Sequence, residues 1–267
     1  MFDFTKYKRF FAFGCSFTSN GWPTWANLIA KECVNAEFYN MGISGSGNQC
    51  IASRISEINQ RYKFCETDLV IILWSTFSRE DRFINQKWET HGSAYTANHF
   101  YNKDFIKNYC DYNGFVIRDL ALIDLVNGYI KNTGCTFYDM LSVYPGLGDH
   151  NADINDNEFL QNKILPVYKK FLSKYKTTYY DVYPWNENVI TDTGHIDTHP
   201  TPLRAYQFLI KLGFQLSPKT LEYAEETTKF LKNKNRHMKM DEYFKDINTL
   251  PDNTKFFKNK FGIPHNL

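Results

Sequence analysis

The chain has 267 residues, 43% of them hydrophobic and 22% charged, which fits one sizeable globular domain with or without an appendage. A net charge of +2 gives no field strong enough to gather nucleic acid or an anionic membrane, and no apolar run approaches the roughly 20 residues of a membrane helix. The opening MFDFTKYKRF lacks the apolar core and cleavage site of a signal peptide, so a cytoplasmic location is expected, although assembly into a particle needs no such signal. The six cysteines form no CxxC pair, which argues against a zinc ribbon or a redox pair and for small buried thiols. Aromatics reach 17%, a richness explained either by an aromatic core or by flat faces for sugars or bases.

In chain order, Arg9 to Phe13 is β-prone and stops at Gly14. Thr24 is placed to cap a helix running to Cys33. Glu37 to Met41 reads as a second strand, followed by the Gly/Ser loop GISGSGN. Ile51, Ile55 and Ile58 mark one face of a helix over Asn48 to Phe64. The run TDLVIILWS is continuous and apolar, as in a parallel strand buried on both faces. This alternation predicts an α/β sheet with right-handed crossovers.

Residues 78–114 have weak periodicity and read as an irregular insertion or a broken helix. A helix is expected from about Phe115 to Asn132, then a strand at CTFYDML. GLGDHNADINDNE lacks EF-hand spacing and reads as a solvated acidic loop. Glu158 to Lys174 is a helix with a kink expected at Pro166, TTYYDVY a last strand, GHIDTHPTP a loop, and Leu203 to Leu212 a closing helix. Beyond Phe214 the texture turns Lys-rich. Residues 1–215 are therefore expected to form the α/β domain and 216–267 a helical extension, either packed on the core or docking a protein partner or a second copy.

Ligands bind at the carboxyl ends of parallel strands. Ser16 follows the first strand, Gly45 the second, and Ser75 and Thr76 the third, so their loops should open on one edge. A fourth loop, with Asp197 and His199, directly precedes the closing helix.

These blocks resemble those of the SGNH (GDSL-like) hydrolases over roughly residues 8–214. Gly14-Cys15-Ser16-Phe17-Thr18 is similar to the block that carries the nucleophile. Asn40-Met-Gly-Ile-Ser-Gly45 is similar to the block whose Gly donates a backbone N–H, and Asp197-Thr-His199-Pro200 to the block that supplies Asp and His. The resemblance implies a three-layer, flavodoxin-like fold and a serine ester hydrolase without metal or organic cofactor. Ser16 would be nucleophile, His199 general base and Asp197 its orienting carboxylate. The N–H groups of Ser16 and Gly45 would form the oxyanion hole. The family's third block has an Asn donor; here Leu73-Trp-Ser-Thr-Phe-Ser-Arg79 aligns Thr76 with it, with Ser75 as a second candidate.

Arg79 could bind an anionic substrate group or pair with Glu80 or Asp81. Cys15 replaces the family's Asp; successive residues at a strand end point in different directions, which turns the thiol inward if Ser16 faces the cleft. His195, in Asp192-Thr-Gly-His195, competes with His199 for the base role. The expected substrate is a small ester such as an O-acylated carbohydrate. The alternative is a degenerate domain that binds a ligand without turnover, or an assembly protein such as a virus could encode.

Overall fold

The computed structural model describes residues 3–96, 100–147, 157–182, 189–190 and 196–233. His195, most of the acidic loop, and the extension beyond Asn233 lie outside the described residues. Four parallel strands, β1 (Arg9–Phe13), β2 (Glu37–Asn40), β3 (Asp68–Trp74) and β6 (Thr136–Leu141), form a sheet in the order β2-β1-β3-β6. Between them run α1 (Trp25–Glu32), α2 (Asn48–Tyr62) and, after a long excursion, α4 (Tyr112–Lys131).

The period of two along each strand divides the core. Phe11, Phe13, Val70, Ile72 and Trp74 face α2 and α4 together with α5 (Leu165–Leu172). Phe10, Ala12, Leu69, Ile71 and Leu73 face α1, α6 (Pro202–Lys211) and α7 (Pro218–Lys232). All seven residues of β3 are buried, which is why it reads as an unbroken apolar run. The result is a three-layer α/β fold with helices on both faces of a parallel sheet.

Four segments differ from the sequence reading. Residues 78–114 hold an antiparallel hairpin of β4 (Arg79–Ile84) and β5 (Lys87–Ser93), then α3 (Lys103–Tyr109). Its two-residue turn, Asn85-Gln86, has φ of 51° and 63°, the type I′ geometry usually signalled by Asn-Gly. The strand expected at TTYYDVY is instead a single 3-10 turn, Tyr179–Val182. Asp181 there accepts hydrogen bonds from the N–H and hydroxyl of Thr178, so local capping wins over the β-prone composition. Pro166 falls in the first turn of α5, preceded by a wide π-helical turn over Leu160–Ile164 that supplies the break in register. The GHIDTHPTP segment includes β8 (Ile196–Asp197), paired with β7 (Val189–Ile190).

Candidate active site

Strand β1 ends at Gly14, where an added Cβ would collide with the Thr18 hydroxyl and approach the Leu73 carbonyl oxygen at 2.9 Å. Only glycine lets the chain turn here against β3. The turn closes through the N–H groups of Thr18 and Ser19, which donate to the Cys15 carbonyl at 2.9 and 3.2 Å. It is held from outside by the Thr24 hydroxyl and the Asn40 amide, both donating to the Thr18 carbonyl, at 2.6 and 2.9 Å. Cys15 is turned into the fold at 1% exposure and is a free thiol. Ser16 is 7% exposed, and neither its hydroxyl nor its N–H makes a hydrogen bond among the described residues.

The second loop is stitched to the first at one carbonyl. Gly14 accepts from the Ile43 N–H at 3.1 Å and from the Ser46 hydroxyl at 3.1 Å. Gly45 sits at φ +75° with its N–H unbonded among the described residues.

The third loop is tied to the second through Asn48, the first residue of α2. Its side chain accepts from the Ser75 N–H at 2.7 Å and donates to Asp119 at 2.9 Å. Thr76 is half-buried and its hydroxyl accepts from Arg79 Nε at 3.2 Å, leaving its own proton available. The Ser75 hydroxyl is fully buried and has no partner among the described residues. Arg79 also donates to the Ser46 carbonyl at 2.9 Å, so it bridges the second and third loops. The ion pair considered for it with Glu80 or Asp81 is not what forms. Glu80 pairs with Arg82 and Arg118, and Asp81 accepts from the N–H groups of Gly47 and Cys50.

His199 arrives from the loop before α6. Its Nδ1 lies 2.6 Å from Asp197 Oδ1, and its own N–H donates to the same oxygen at 2.8 Å. A carboxylate can only accept, so Nδ1 carries the proton and Nε2 is the basic nitrogen of the neutral ring. The ring packs edge-on against Phe17, centroids 5.5 Å apart, and against Trp22 at 6.2 Å. Trp22 Nε1 donates to the Pro200 carbonyl at 3.0 Å, fixing the loop on the other side of the ring. The fold thus brings the His199 ring to the residue next to Ser16, without a hydrogen bond between the two side chains. Catalytic hydrogen bonds often tighten only when substrate is bound.

A buried polar layer lies beneath these loops. Burial pushes the Asp119 carboxyl up to about 7, against the pull of Arg118 and of the Asn48 amide. Burial also raises Asp81, opposed by the backbone N–H groups of Cys50 and Gly47 and by Arg79 and Arg118. Sequence reasoning missed Asn48 and Asp119, and considered Asp81 only as a partner for Arg79. Asp119 leaves a trace, as a lone carboxylate on the buried face of α4 beside Val116, Leu120 and Ile123. A concave surface of about 310 Å³, lined by His91, Phe100, Tyr101 and Phe105 among others, opens on the outer face of the hairpin.

Among the described residues no cluster of three or more His, Cys, Asp or Glu side chains could hold a metal ion, and no helix is long and apolar enough to cross a membrane. No family model matches the chain, and no curated protein matches it. Among solved structures, the chain is similar to a Bacteroides fragilis protein provisionally named an acylhydrolase. The identity is 16%, with 83% of this chain and 88% of that one covered, at a TM-score of 0.37. It is also similar to a GDSL-like lipase from Bacteroides thetaiotaomicron at 17% identity, covering 81% and 89%, again at 0.37. Overlaps this loose transfer no role to any residue.

Proposed function

We propose that the chain is a serine acyl hydrolase acting on a small ester. The observation that carries this reading is the Asp197–His199 pair, 2.6 Å apart, seated against Phe17, whose chain neighbour Ser16 has an uncommitted hydroxyl. A Ser hydroxyl is a poor nucleophile until a base removes its proton, and the base works best when a carboxylate fixes its tautomer.

In this mechanism Ser16 Oγ attacks the acyl carbonyl carbon while its proton passes to His199 Nε2. The carbonyl oxygen becomes an oxyanion, held by the N–H groups of Ser16 and Gly45 and by the Thr76 hydroxyl. Donors of this kind are each worth about 3–4 kcal/mol of barrier. The intermediate collapses, the C–O bond to the alcohol breaks, and imidazolium returns its proton to the leaving oxygen. Water, deprotonated by the same nitrogen, then attacks the acyl-enzyme and frees Ser16. Asp197 stays ionised throughout and stabilises the imidazolium.

Arg79 is assigned to the substrate. Its Nε and one terminal nitrogen are engaged by Thr76 and Ser46, and its other terminal nitrogen makes no hydrogen bond among the described residues. With Thr76 and Arg79 its half-buried polar side chains, the third loop suits a hydroxyl-rich or anionic alcohol such as an O-acylated sugar.

The second reading, a domain that binds without turnover, is favoured by the absence of a Ser16–His199 hydrogen bond. Hydrolysis of p-nitrophenyl acetate, and labelling by a fluorophosphonate, decide between them. We expect both in the wild type and neither in Ser16→Ala, with His199→Ala also reduced by about a hundredfold or more. Equal, near-background rates in wild type and Ser16→Ala would sink the hydrolase reading.

A further inference from the structure

The inner face of the β4–β5 hairpin carries Asp81 on one strand and Trp88 and Thr90 on the other, and beyond an irregularity in the pairing it continues with Arg79 and the backbone of Gly92. All of them meet the loop that carries Gly45 or the first turn of α2. Three consecutive carbonyls of that loop are engaged. The Thr90 hydroxyl donates to Ser44 O at 2.9 Å, the Gly92 N–H to Gly45 O at 3.1 Å, and Arg79 to Ser46 O at 2.9 Å. Asp81 receives the next N–H, from Gly47 at 2.8 Å, and that of Cys50 at 2.9 Å. Trp88 packs with Ile43 and Cys50.

The Ser44 carbonyl and the Gly45 N–H belong to one planar peptide and point in opposite directions. A hydroxyl that fixes the carbonyl on the hairpin side therefore fixes the N–H on the side away from the hairpin. That N–H has no partner among the described residues. Gly45 itself is pressed so closely on β5 that an added Cβ would collide with the Thr90 carbonyl oxygen.

We infer that Thr90 is a positioning residue that aims the Gly45 N–H, and that the hairpin braces the oxyanion-binding loop, with Asp81 as its anchor. The catalytic part of this inference rests on the role proposed above for Gly45; the brace does not. An excursion from the parallel sheet that could be read as a lid thereby becomes a support, acting through the backbone without touching the substrate.

The test compares wild type with Thr90→Val, which keeps the shape and removes the hydroxyl, and with Thr90→Ser, which retains it. The first readout is the Gly45 backbone amide by NMR, its chemical shift and its fast-timescale order, and needs no turnover. The Gly45 signal is expected to move and lose order in Thr90→Val and to stay near wild type in Thr90→Ser. A Gly45 amide unchanged in Thr90→Val overturns the brace, whether or not the protein hydrolyses anything. The second readout is Ser16-dependent turnover of p-nitrophenyl acetate. A misaimed donor lowers kcat by about tenfold with KM held within about twofold, and Thr90→Ser restores it. A displaced Gly45 amide with unchanged kcat overturns the positioning role. A wild type without Ser16-dependent turnover overturns that role together with the function reading, and leaves the brace to the NMR result.

Discussion

A methyl group at position 45 would collide with the Thr90 carbonyl oxygen, and the backbone there sits at φ +75°, where a side chain is strained. Both effects act on the same residue, so Gly45→Ala should cost about 2–4 kcal/mol, since αL strain and overpacking each contribute roughly 1–3 kcal/mol. Urea unfolding measures this. A loss below about 0.5 kcal/mol would mean that the loop can move off the hairpin. The need for glycine at 45 was legible only as a motif; its cause, the approach of β5, was not, because nothing in GISGSGN points 45 residues ahead to Thr90. Asp197 and His199 were legible because two residues suffice to return the ring to its own carboxylate. The placement of that ring against Phe17, the residue after Ser16, depends on tertiary placement across the whole chain. Its partner surfaces, Phe17 and Trp22, carried no signal beyond being aromatic.

Among the secondary-structure elements, α2 shows how a buried charge ties the site together. Its N-cap is Gly47, which has no side chain to satisfy the free N–H groups, and Asp81 from β4 takes that part. The next residue, Asn48, reaches Asp119 on α4, where the surrounding charges are Arg118 on the same helix and Glu80 and Asp81 on β4. Asp119 has a folded pKa of about 7, above the ordinary carboxylate value of 3.8. Its contribution is therefore complete below pH about 4 and is lost as pH rises through about 7, because the unfolded chain gives up the proton first. Asp119→Asn keeps the shape and removes the titration. The stability difference, wild type minus variant, should fall by about 2–4 kcal/mol between pH 4 and pH 8. A flat difference across that range, from urea titrations at matched ionic strength, would refute a protonated Asp119. The hairpin escaped the sequence reading for a related reason. Its inner face is polar where Arg79, Asp81 and Thr90 meet backbone, so the usual apolar alternation is absent, and its turn uses Asn-Gln. The strands of the main sheet were legible because both of their faces are apolar.

At the scale of the whole molecule, the change of texture after Phe214 marks the start of α7, which packs back on the α/β body. The N–H and hydroxyl of Ser217 and the hydroxyl of Thr220 all donate to Glu32 at the end of α1. The Thr228 hydroxyl accepts the Leu203 N–H in the first turn of α6. Lys31 lies 3.7 Å over the Tyr223 ring, and Leu231 is buried with Trp22 and Val189. Trp22 in turn holds the Pro200 carbonyl and lines the His199 ring. Cutting the chain after Phe214 thus removes more than a tail: it uncovers Trp22 and frees an N–H at the start of α6. Losing Leu231, Ala224 and these four hydrogen bonds should cost about 6–7 kcal/mol, at roughly 1.5–3 kcal/mol for a large buried side chain and about 1 for each hydrogen bond. At about 2–4 °C per kcal/mol, Tm should fall by about 20 °C. Because Trp22 stands between α7 and the His199 loop, Ser16-dependent turnover should fall as well, even well below the new Tm. A cut chain that melts like the full one and turns over like it would show that α7 is a removable appendage, and that Trp22 keeps His199 in place unaided.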